Sequence, residues 1–182
     1  MMDTTSQLVL RTDDARGVTT LTLNRPAAFN ALSEALLTEL QNTLDDLAQD
    51  KKLRVLVIAA AGKAFCAGHD LREMRVNPSL DYYQKLFAQC GRMMMSIQNL
   101  HVPVIAKVQG IATAAGCQLV AQCDLAVASD SALFGVNGID AGLFSSGSLF
   151  AGGQHFCSAH SHSAFGLHSC NSSSLFSLRR CH

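Results

Sequence analysis

The sequence predicts an α/β domain of layered sheets and helices, on three observations. β-rich runs alternate with amphipathic helical stretches along the first 144 residues, the order that builds sheets covered by helices. Two apolar runs lead into turns rich in Gly and Ala: Val55-Leu56-Val57-Ile58-Ala59 precedes Phe65 to Leu71, and Val104-Ile105-Ala106-Lys107-Val108 precedes Gly110 to Gln118. The chain then changes character near Ser145, so residues 1–144 read as one domain and 145–182 as a tail.

Taken in order, Val18-Thr19-Thr20-Leu21-Thr22-Leu23 alternates and is rich in β-branched residues, which predicts a strand. Ser33 is a good N-cap for a helix through about Gln49, with Leu36, Leu40, Leu44 and Leu47 on one face. Val55 to Ala59 follows as a buried strand. A second amphipathic helix is expected from about Asp81 to Asn99, its stripe made of Leu86, Cys90, Met93, Met94 and Ile97. The run Met93-Met94-Met95 on that helix reads as core filler. A strand at Val104, a short helix from about Ala115 and a strand over Leu125-Ala126-Val127-Ala128 complete the pattern.

Residues 145–182 hold no Asp, Glu, Lys, Val, Ile, Thr or Pro, but eleven Ser, five of the seven His and three of the seven Cys. No helical or strand period persists there, and so little patterned apolar surface does not offset chain entropy. The tail is therefore expected to be disordered or an out-of-frame end. Its Cys157, His160, His162, His168 and Cys170 match no standard zinc spacing, so no metal is expected.

Bulk composition narrows the function classes. A chain of 182 residues can bury one real core. No apolar run reaches the roughly 18 to 20 residues of a membrane span, and a net charge of zero gives no case for nucleic acid or a membrane surface. Seven scattered cysteines, an odd number, favour reduced thiols. Met1 to Gln7 shows neither a basic leader nor an apolar core, so the cytoplasm is the expected compartment, with the mitochondrial matrix as the alternative.

Small residues at strand-to-helix turns let main chain approach a ligand, and the first N–H groups of a helix have no partner inside it. One such turn says little. Two, each fed by its own buried strand, point to a pair of main-chain donors for a single oxygen that gains negative charge. Ala61-Gly62-Lys63-Ala64, by contrast, lacks the upstream Gly and the following Ser or Thr of a phosphate loop.

From Leu21 to about Phe144 the chain resembles the crotonase superfamily, also called the enoyl-CoA hydratase/isomerase family. The resemblance is carried by Leu23-Asn24-Arg25-Pro26 with Asn30-Ala31-Leu32, by Lys63 to Glu73, by Pro103 to Gln118, and by Cys123 to Gly135. It implies a crotonase-like ββα spiral, here cut short, and a site that holds an acyl-CoA thioester with its carbonyl oxygen on two backbone N–H groups. By motif position these belong to His69 and Ala115. Ala115 replaces the Gly usual in that place, a change that a negative φ accommodates. The resemblance further implies substrate or CoA contacts from Arg25, Ala31, Leu32, Ala67, His69, Asp70, Leu71, Arg72, Gly110 and Ala115. Lys63, like Arg25 and Arg72, suits a CoA phosphate. No cofactor is implied beyond the coenzyme A of the substrate. The family forms homotrimers or hexamers, an assembly left open for a chain cut short.

Hydratases of this family add water with two glutamates, whose positions here carry Gln118 and Gly138. Neither exchanges a proton at neutral pH, so general acid–base catalysis worth roughly 10² to 10⁴-fold is missing at both. Hydration is expected to be weak or absent. His69, beside Asp70, titrates near neutrality and could replace a glutamate; the favoured expectation is that only its backbone acts. Asp140 reads as a turn cap. Two functions stay open: an enzyme of fatty-acid metabolism acting on an acyl-CoA, and a catalytically silent CoA-thioester-binding protein, regulatory or vestigial.

Overall fold

Which residues become strands follows from which faces they bury. The computed structural model describes residues 7–135, 165–169 and 175–180. Strand β1 (Val9–Asp13) pairs antiparallel with β2 (Val18–Leu23), where Thr19, Leu21 and Leu23 point into the core. Helix α1 (Glu34–Gln49) starts where Ser33 accepts the Leu36 N–H, and it buries Leu36, Leu37, Leu40, Leu44 and Leu47. Then come β3 (Val55–Ala60), β4 (Ala64–Cys66), α2 (Leu71–Val76) and α3 (Leu80–Gln98). The remaining elements are β5 (Val104–Val108), β6 (Ile111–Thr113), α4 (Ala115–Ala121), β7 (Leu125–Ala128), β8 (Leu133–Gly135), β9 (Phe165–Ser169) and β10 (Leu175–Arg180).

Two five-stranded sheets result, ordered β1-β2-β3-β5-β7 and β4-β6-β8-β10-β9. β2, β3, β5 and β7 run parallel in the first, and β4, β6 and β8 run parallel in the second. Each repeat therefore gives one strand to each sheet before its helix: β3 and β4 before α2 and α3, β5 and β6 before α4, then β7 and β8. This is the ββα spiral that the sequence predicts.

The first sheet covers its core face with α1 and α3. Leu56, Ile58, Val104, Ala106 and Val108 share one buried core with Leu86, Cys90, Met93, Met94 and Ile97 of α3. Burying such side chains stabilises by about 1.5–3 kcal/mol each before entropy is counted. Met95 departs from the core-filler expectation, being 51% exposed. β7 forms an outer edge, with Leu125 58% and Val127 63% exposed. Cys66, Cys90, Cys117 and Cys123 are free thiols, and burial pushes the first, second and fourth up to about 12. No helix among the described residues is long and apolar enough to cross a membrane.

The short strands β1, β4, β6 and β8 and the six-residue α2 are absent from the sequence-based reading. Two strands also lie in the tail, where no period was found: β10 pairs antiparallel with β8, Leu175 opposite Gly135, and β9 pairs with β10. Strand pairing is made by main-chain groups, and the open side of β8 offers them without requiring a side-chain alternation. The rest of the tail lies outside the described residues.

Candidate functional site

Neighbouring parallel strands bring their following turns together. β4 and β6 pair in parallel with Cys66 opposite Ala112. His69 stands three residues beyond Cys66, and Ala115 three beyond Ala112, so the two occupy equivalent places in consecutive repeats. Parallel strands lie about 4.8 Å apart. The turns accordingly touch: a Cβ built on Gly68 would lie 3.3 Å from the Ala115 nitrogen and 3.0 Å from the Ala114 Cβ. Gly68 has φ +89°, so glycine is required there on both counts. Thr113 ties the turns with an Oγ1–H donated to the Ala67 carbonyl at 3.2 Å.

Peptide planarity sets the direction of each N–H. The Gly68 carbonyl accepts the Leu32 N–H at 2.8 Å, and the Asp70 N–H donates to the Leu32 carbonyl at 3.2 Å. In a trans peptide the C=O and the next N–H point opposite ways; the His69 N–H is therefore aimed away from Leu32. The Ala114 carbonyl accepts the Gln118 N–H at 3.1 Å, which turns the Ala115 N–H outward from the start of α4. Neither amide has a backbone acceptor among the described residues.

The condition that lets Ala115 replace Gly is met, and the strain in this turn sits on the residue before it. Ala115 keeps a negative φ, whereas Ala114 has φ 50° and ψ −122°, a conformation natural to glycine. Its N–H donates to the Gly135 carbonyl at 2.8 Å, which holds it there.

The side chains around the turns divide sharply. Asp70 caps α2, accepting the Arg72 N–H at 3.1 Å, and it pairs with Arg25 at 3.0 Å. Burial alone would raise the Asp70 carboxyl, but Arg25 and the Arg72 N–H outweigh it and hold it low. Arg25 also donates to the Ala31 carbonyl at 2.6 Å. Two of its guanidinium nitrogens thus join Ala31 to Asp70, a structural role that the sequence does not suggest. Arg72, Lys63, Leu71 and Ala67 are exposed, while Ala31, Leu32 and Gly110 are buried. Gly110 packs directly against the Lys63 carbonyl.

His69 packs its ring edge-on against Phe87 of α3, with centroids 5.1 Å apart. Burial pushes its pKa down from 6.5 to about 4. The ring is neutral at physiological pH, which removes the argument that it titrates near neutrality. Gln118 is half-buried one turn along α4 from Ala115. Gly138 and Asp140 lie outside the described residues.

Sequence reasoning missed Phe87, which follows Leu86 and carries no signal apart from the stripe. Asn30 and Gln109 stand in the sequence motifs, but their side chains' role, bracing the turn before β4, was not foreseen. Asn30 donates to the Ala61 and Ala64 carbonyls at 2.8 Å, and Gln109 to those of Ala60, Gly62 and Ala64.

Comparison with known proteins identifies the family. The family model described as enoyl-CoA hydratase/isomerase matches residues 13–153. The human protein called enoyl-CoA hydratase domain-containing protein 3, mitochondrial, is 46% identical over 130 residues, 71% of this chain and 43% of the relative. Its subgroup is the one that the Gly68-His69-Asp70 and Ala112 to Gln118 variants resemble. The 2,3-dehydroadipyl-CoA hydratase of Escherichia coli is 42% identical over 68% of this chain and 47% of its own length. A crystal structure of an enoyl-CoA hydratase from Mycobacterium smegmatis superposes with a TM-score of 0.80 at 60% identity, covering 81% of this chain and 58% of that one. The chain spans about half the length of the curated relatives it matches. Several of these are named as mitochondrial, so they do not support the cytoplasmic expectation. The family model over residues 13–153 and relatives more than 40% identical over two thirds of the chain make it a member of the enoyl-CoA hydratase/isomerase family.

Proposed function

We propose that the chain binds an acyl-CoA thioester with its carbonyl oxygen between the N–H groups of His69 and Ala115. The observation that supports this reading is the close approach of Gly68, the neighbour of His69, to the Ala115 nitrogen, with both amides lacking a backbone acceptor among the described residues. An oxygen held there gains negative charge when the thioester becomes enolate-like, and donors fixed in advance stabilise that charge. Loss of one such donor in a protease costs about 3 kcal/mol of transition-state stabilisation. Arg72 and Lys63, both exposed, remain the cations free to meet the CoA phosphates.

Water addition is the part of the family chemistry this chain is poorly equipped for. Gln118 stands where a glutamate would move a proton, and the His69 ring is neutral with a pKa of about 4. A second reading, a silent thioester-binding protein, is favoured by those same two residues. Location in mitochondria follows the names of the relatives and is part of the proposal.

Crotonyl-CoA and butyryl-CoA separate the readings. Turnover of the first supports an enzyme. Tight binding of both without turnover supports the silent binder, and binding of neither sinks the thioester site.

A further inference from the structure

Ala114 keeps a conformation natural to glycine, and such strain persists only where neighbours hold the residue in place. Two bonds do so: its N–H donates to the Gly135 carbonyl at 2.8 Å, and its own carbonyl accepts the Gln118 N–H at 3.1 Å. The peptide that carries the Ala115 N–H follows between them. Gln118 belongs to α4 itself, so the anchor from outside the turn and its helix is Gly135. Gly135 ends β8, a strand of three residues. Parallel pairing with β6, Thr113 opposite Gly135, secures one side of it. A strand so short with a single neighbour frays, because few ladder bonds oppose its opening. Its other side is taken by β10, antiparallel, with Leu175 opposite Gly135 and Phe176 opposite Phe134. β9 backs β10 in turn, from Phe176 opposite Ser169 to Arg180 opposite Phe165.

We propose, building on the thioester reading, that β10 is a positioning strand: its main chain fixes Gly135, Gly135 fixes Ala114, and the Ala115 N–H is thereby kept on the thioester oxygen. The stretch beyond Ser145, where the chain changes character, thus sets one of the two donors. Donors stabilise charge only when they are fixed in advance, so loosening β10 weakens the grip on the oxygen without touching either turn.

Amide hydrogen exchange and equilibrium binding of butyryl-CoA, both on the full 182-residue chain, test this. In the unaltered chain the β10 amides around Phe176 should be protected together with that of Ala114; free exchange in β10 overturns the proposal. Phe176→Pro removes an N–H from a strand paired on both sides, a place proline does not occupy. Exchange at Ala114 should quicken and the thioester Kd should rise, each about two- to tenfold, the range that one hydrogen bond gives. The amide of Ala106, buried in β5 of the other sheet, should exchange as before, which separates a loosened turn from a failed fold. Phe176→Val, β-branched and with its N–H intact, should leave all three readings unchanged. Exchange at Ala114 that the proline does not move, or that quickens with no change in Kd, overturns the inference and leaves the thioester site standing. Failure of the unaltered chain to bind butyryl-CoA overturns the thioester reading instead; the hold of β10 on Ala114 then stands or falls on exchange alone.

Discussion

Gly116 of α4 lies flat against the main-chain carbonyl of Cys66 in β4, and a Cβ on it would collide with that oxygen and with the Cys66 Cβ. Backbone on backbone leaves no flexible end to move aside. Gly116→Ala should therefore cost about 2 kcal/mol or more, the scale of overpacking in a close-packed interior. A urea midpoint unchanged from the parent chain would contradict this packing.

Ala114 offers the opposite experiment. Its φ of 50° with ψ of −122° suits only glycine, so Ala114→Gly relieves strain while loosening the unfolded chain. The net should be a gain of roughly 1 kcal/mol, strain relief of about 1–3 exceeding the entropy cost of about 0.5–1. Urea denaturation reads it, and a loss of stability would show that the turn is not strained.

Arg25→Ala removes the link between Ala31 and the cap of α2. The pair is partly buried, with side-chain exposures of 22% for Arg25 and 10% for Asp70. The loss should be about 1–2 kcal/mol, less than for a fully buried pair because solvent screens it. Asp70 has a lowered folded pKa, so its contribution is present above pH 3.8 and fades as pH falls through that lowered value. Arg25→Ala should flatten that acid limb. Melting curves from pH 5 down to pH 2 test both effects.

His69 acts on a different pH window with the other sign of charge. Its folded pKa is about 4 against 6.5 for a free ring, so the unfolded chain takes up the proton first. Stability should rise with pH from about 4 to 6.5, and the full change is on the order of 3 kcal/mol for the ring alone. His69→Phe removes this slope. Identical pH slopes for parent and variant over that window would show the ring to be well solvated when folded.

Long amphipathic helices and buried parallel strands were legible from sequence because their periods come from the faces they bury. Ser33, the leucines of α1, the stripe of α3 and the runs at Val55 and Val104 all sit as their patterns require. β4, β6 and β8 have three residues each, too few to show a period, and they exist because each lies against its neighbour from another repeat. At the site, the two turns were visible as clusters of small residues. Arg25 was not legible in the same way: a lone arginine looks the same in sequence whether it meets a phosphate or an aspartate 45 positions away. The strain at Ala114 was not legible either, because it depends on a long-range bond from its N–H to the Gly135 carbonyl.

The matched offset of His69 from Cys66 and of Ala115 from Ala112 makes loop length, not residue type, the feature under tightest control. Side chains at 69 and 115 can be exchanged while the nitrogens stay put. One inserted residue in either connection would swing its amide round to the far side and leave the other pointing at nothing.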